Sequence, residues 1–128
     1  MVGRDRAVEV RFDEDLWRRE VRPFAPPVRE VAERARMRLE RDGLLGSEID
    51  RHYDRTGPKG TVLPRCVKVY VPLGGPASER PFGMVLQLQA DGSLLFIAFG
   101  RRHPSGGRER DVDERAHRVL HGRFPERP

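Results

Sequence analysis

"SLLFIAFGRRHP", residues 93–104, is an apolar run that stops abruptly in two arginines, a histidine and a proline. From Leu94 to Phe99 there is no polar position. Such a segment has no face to offer water, so it is expected as a central strand with packing on both sides. Immediately before it, "ADGS" is a hairpin signal of the Asp-Gly kind. Before that, "FGMVLQLQ" alternates Met84, Leu86 and Leu88 against Val85, Gln87 and Gln89, and "PRCVKVYVPL" alternates Val67, Val69 and Val71 against Cys66, Lys68 and Tyr70. Three consecutive strands are therefore expected, with "GGPASER" as a connection.

After the apolar run, "HPSGGRER" reads as a loop. "DVDERAHRVLHG" reads as a closing helix whose apolar side is Val112, Ala116, Val119 and Leu120, ended by Gly122. At the other end of the chain, "AVEVRF" alternates with period two and reads as one strand with Val8, Val10 and Phe12 on a common face. Asp13 is a candidate N-cap for a short helix carrying Leu16, Trp17 and Val21, which Pro23 ends. "PPVREVAERARMRLERDG" is the clearest helix. Its stripe is Val28, Val31, Ala32, Ala35 and Leu39, its outward face Arg and Glu, and Gly43 is its stop. A helical turn around residues 47–53 and a loop at "TGPKG" complete the pass. Elements are thus segregated as β, α, α, then β, β, β, then α: an α+β fold in one domain, residues 1–128, its early helices packed across a face of a single sheet.

Charged residues make up 35% of the 128, and the net charge is +5, which favours anionic partners. Cys66 is the only cysteine, so an internal disulfide and a cysteine-based metal site are excluded, and a reducing, cytoplasmic setting is expected. No stretch has the apolar length of a membrane span. Trp17 is expected in the core rather than as a stacking platform. His117 and His121 share a helix face, but two ligands are too few for a metal site. No metal or cofactor is expected.

The ordered series "VEVRFDEDLWRREV", "PVREVAERARMRLE", "RCVKVYVPL", "FGMVLQLQADGSLLFIAFGRR" and "RERDVDERAHRVL" resembles the RelE/ParE toxin superfamily over nearly the whole chain. The resemblance implies a RelE/ParE-like α+β fold, with an antiparallel-rich sheet of about four strands, two N-terminal helices packed on it and a short C-terminal helix. It also implies an antitoxin as partner. RelE-type members cut mRNA on the ribosome; ParE-type members inhibit gyrase. Fold does not choose between these functions. Cleaving RNA through its 2′-hydroxyl needs a base, cations at the phosphate and an acid for the leaving oxygen. By position, Lys68 matches a family lysine, with Tyr70 where a second lysine would stand. Arg102, or Arg101 with a one-residue slip, matches the basic corner. Arg108 and Arg110 match the basic tail. Lys68, Arg101, Arg102, Arg108 and Arg110 are the candidate nucleic-acid contacts, and His103 beside the corner, with Arg102 and Lys68, is the candidate catalytic set. Two positions depart from the pattern: the third-strand arginine falls at Met84, and the tail tyrosine at Asp113. They leave open whether the protein is an endoribonuclease, a gyrase inhibitor or a non-catalytic protein-binding module.

Overall fold

A computed structural model of the chain describes residues 6–45, 55–56, 60–72, 80–104 and 109–125. Its described elements are β1 (Ala7–Val8), β2 (Val10–Arg11), α1 (Glu14–Val21), α2 (Pro26–Asp42), β3 (Leu44–Leu45), β4 (Arg55–Thr56), β5 (Val62–Leu63), β6 (Cys66–Val71), β7 (Phe82–Leu88), β8 (Leu94–Arg101) and α3 (Val112–His121). The principal sheet has the order β2-β8-β7-β6, with β2 parallel to β8 and the other neighbours antiparallel. Two short ribbons, β1-β3 and β4-β5, flank it. The expected α+β architecture is the observed one.

β8 is central, as its composition requires. Leu94, Phe96 and Phe99 enter one core with Met84, Leu86, Val67 and Val71, covered by Trp17 and Val21 of α1 and Val31, Ala32 and Leu39 of α2. Ile97 and Ala98 enter a second core with Cys66 and Val85, covered by Val112 and Ala116 of α3. Adjacent residues of one strand can share a face only through a register break. Val85 pairs with Ala98 and Leu86 with Phe96, so Ile97 is the extra residue of a bulge. The sheet is therefore covered on both faces: early helices on one, the C-terminal helix on the other.

Three local expectations need correction. "AVEVRF" is not one strand: Ala7–Val8 pairs with Leu44–Leu45, and only Val10–Arg11 joins the main sheet. The hairpin is not closed by a two-residue Asp-Gly turn. Gly92 N–H donates to the Gln89 carbonyl at 3.0 Å and Gln89 N–H to the Ser93 carbonyl at 2.8 Å, leaving a three-residue loop with Gly92 at φ +87°. Arg36 does not belong to the outward face of α2. It is 9% exposed, with its guanidinium over the rings of Phe12 and Trp17 and paired to Glu14 and Glu40. The helical turn expected around 47–53 lies outside the described residues. Among those that are described, no helix is long and apolar enough to cross a membrane.

Helix ends follow their sequence signals. The Asp13 side chain accepts the Leu16 N–H at 2.9 Å. Asp111 and Glu114 form a reciprocal capping box at the start of α3, and Gly122 ends that helix in the left-handed region. This cap fixes where α3 begins, and with it the position of Asp113 over the sheet.

Candidate nucleic-acid interface

The register of β6, β7 and β8 places Lys68, Val85 and Ala98 in one row and Tyr70, Gly83 and Gly100 in the next. Both rows face α3. Neither glycine has a side chain, so the first turn of α3 lies directly on the sheet. A Cβ on Gly83 would stand 3.4 Å from Val112 Cγ1, and one on Gly100 2.9 Å from Arg115 Cδ. Asp113, in that first turn, receives a hydrogen bond from Lys68 Nζ at 2.9 Å. Both side chains are about four-fifths buried, which makes the pair less screened than a surface ion pair. The helix dipole also favours a carboxylate there. The Asp113 Oδ1 atom is buried without a hydrogen-bond partner among the described residues.

The basic corner divides. Alternation along β8 sends Arg101 to the face of Phe82, where its guanidinium lies 5.0 Å from that ring and 3.2 Å from Glu109. Arg102 turns the other way. Its guanidinium carbon lies 3.9 Å from the centre of the Tyr70 ring, and Nη1 donates to the Arg80 carbonyl at 3.0 Å. Cation–π contact of this kind is worth about 0.5–2 kcal/mol. It pre-orients the guanidinium while leaving it without a carboxylate partner among the described residues. Arg102, rather than Arg101, thus shares a face with Lys68 and Tyr70.

His103 follows on the exposed loop and makes no hydrogen bond or ion pair among the described residues. Arg110 holds the wholly buried Glu114 at 2.9 Å and packs over Phe124; this tie stabilises the cap of α3. Arg108 lies outside the described residues. Lys68, Tyr70 and Arg102 are therefore brought together, Arg101 and Arg110 are each engaged by a glutamate, and His103 stands beyond the corner.

Sequence reasoning missed two features. One is Asp113 as the partner of Lys68: the strand position and the tail position do meet, but as an ion pair. The other is the facing of β7. Met84 is fully buried among the core residues under α1 and α2, so an arginine there would not reach Lys68. The β7 residues on the Lys68 face are Gly83 and Val85, both buried. A strict alternation from Lys68 across the hairpin would have found this.

Trp17 is a core residue as expected. It is 3% exposed, and its indole N–H donates to Glu33 at 2.6 Å. Between α2 and β6 runs a groove of about 840 Å³, which Lys68 and Tyr70 also line. Val31, Ala35, Leu39 and Val69 line its floor, and Arg34 and Arg38 stand exposed along it.

No family model matches the sequence, and no curated protein matches it. Among solved structures, the chain is similar to a free-state double mutant of the E. coli toxin RelE. The two share 20% sequence identity over 78% of this chain and 88% of that one, at a TM-score of 0.41.

Proposed function

We propose that this protein is a RelE-like toxin-family member acting on RNA, with Lys68, Tyr70 and Arg102 as its phosphate-facing surface. The observation that carries this reading is the convergence of those three side chains on one sheet face at the start of α3, with Arg102 stacked on Tyr70 and without a carboxylate partner among the described residues. The element order and the net charge of +5 support it. Arg102 would contact the phosphate first, and His103, which follows it in the chain, would be the candidate for proton transfer. Lys68 would join only after leaving Asp113. A neutralising antitoxin would be acidic and amphipathic, laid in the groove between α2 and β6 against Arg34 and Arg38.

The test is induction in a bacterial host with mapping of mRNA ends. Growth arrest with new cleavage sites is expected, reduced by Arg102→Ala and abolished when Lys68→Ala is added. Intact translated mRNA in arrested or growing cells would overturn the endoribonuclease reading.

A second reading, a non-catalytic gyrase inhibitor or protein-binding module, is favoured by the Lys68–Asp113 pair, which neutralises the strand lysine. Inhibition of gyrase supercoiling by purified protein with no RNA cleavage would establish it.

A further inference from the structure

His117 and His121 do not serve the surface above. They stand one turn apart on the far half of α3, their ring centroids 4.4 Å apart. Both engage a single residue of β5. The Val62 N–H donates to His117 Nδ1 at 3.0 Å, and His121 Nε2 lies 2.8 Å from the Val62 carbonyl oxygen. Both polar backbone atoms of Val62 are thus held by two side chains of a helix.

The chemistry fixes the protonation states. A ring nitrogen that accepts an N–H carries no proton, so His117 is neutral with its proton on Nε2. A carbonyl oxygen only accepts, so His121 donates from Nε2. A proton added to His117 must go to Nδ1, where it meets the Val62 N–H donor-to-donor. We infer that His117 and His121 form an acid-released clamp: protonation of His117 frees β5, and the β4-β5 ribbon with it, from α3 while the four-stranded sheet stays intact.

The surroundings make that proton unwelcome. Burial, followed by His121 and Arg123, holds the His117 imidazole below its ordinary range. Among the described residues, no acid compensates from the packed elements. β5 presents Val62 and Leu63. β7 and β8 present Gly83, Val85, Ile97, Ala98 and Gly100. From β6 and the turn before it come Arg65, Cys66 and Lys68, with Lys68 held by Asp113. On α3 itself, Glu114 is committed to Arg110 and the cap, and Arg118 is cationic. The core under α1 and α2 contains no β5 residue, and Leu63 is the one residue of β5 in the core under α3, so release costs that contact while the packing of β6, β7 and β8 is kept.

The experiment is amide hydrogen exchange on the full chain across pH, corrected for intrinsic rates. Between the titration of the clamped imidazole and that of a free one near 6.5, exchange at Val62 should accelerate by up to about tenfold per pH unit lowered. Val85 and Ala98 should not follow. His117→Asn, whose Oδ1 can accept the same N–H but does not titrate, should flatten the dependence. Flat exchange at Val62 in the native protein, or a slope that persists in His117→Asn, would overturn the clamp. Should that variant not fold, the ¹⁵N spectrum of the native imidazoles decides: an unprotonated Nδ1 on His117 at pH 7 is expected, and a protonated one refutes the inference.

Discussion

Glu20 offers the sharpest test of how the two faces of the sheet are joined. β2 covers the outer edge of β8 only at Leu94 and Leu95, and beyond them that edge has no strand beside it among the described residues. The Glu20 carboxylate, on α1, takes the place of a strand. Its Oε1 accepts the Phe99 N–H at 3.4 Å and Arg115 Nε of α3 at 3.3 Å, and Arg115 Nη2 donates to the Glu20 carbonyl at 2.8 Å. Glu20→Ala orphans a buried backbone donor, a loss of about 1–3 kcal/mol. The Phe99 contact is long, which argues for about 2 kcal/mol, or a fall in Tm of roughly 5–10 °C for a chain of this size. Glu20→Gln keeps the acceptor and removes the charge, so it should lose much less. Burial raises the Glu20 carboxyl above its usual range, outweighing the pull of Arg115. The folded protein therefore keeps a proton that the unfolded chain has released. Glu20's contribution is complete below the ordinary glutamate value and declines as pH rises through the raised one. Urea unfolding from pH 4.5 to 8 measures this. Glu20→Gln should gain on the native protein as pH rises. Equal losses for Ala and Gln, or a native-minus-Gln difference constant over that range, would refute the account.

Three more outcomes are expected. Gly100→Ala should destabilise by about 1–3 kcal/mol in thermal melts, because its Cβ would press on Arg115 Cδ at 2.9 Å and on the Val112 backbone at 3.3 Å; an unchanged Tm would mean that α3 does not seat on the glycines. In a double-mutant cycle by urea unfolding, Lys68→Met alone should cost more than Lys68→Met with Asp113→Leu, since the single change strands a largely buried carboxylate; strict additivity would show that the pair is uncoupled. Phe96→Ala should lose about 3–5 kcal/mol in the same assay, the ring being fully buried between Phe12 and Trp17; a loss below 1 kcal/mol would contradict that packing.

What the sequence made legible was what periodicity and end signals encode. The α2 stripe, the Asp13 cap, the three-strand series and the apolar side of α3 all appear where spacing places them. What escaped was set by partners distant in the chain. Arg36 looks like one more surface arginine until Phe12, Trp17 and Glu14 are brought around it. "AVEVRF" alternates without a fault, yet its halves are claimed by different strands. The arginines at 101 and 102 read as one patch, but neighbours in a strand point to opposite faces. Asp113 could be known as the companion of Lys68 only once the glycines at 83 and 100 were seen to let α3 down onto the sheet.

The parallel pairing of β2 with β8 has a consequence for how the protein is made. Val10 pairs with Leu94, so the first strand of the sheet waits for the last. During synthesis the helices α1 and α2 emerge with Trp17, Val21 and Val31 already exposed, and the strand residues they rest on, Phe96 and Phe99, are translated long after them. Nascent chains stalled before residue 94 would therefore present an uncovered apolar surface, the kind that chaperones hold and that aggregates form from. The core under α1 and α2 should close when β8 clears the ribosome, and the second core when α3 follows it.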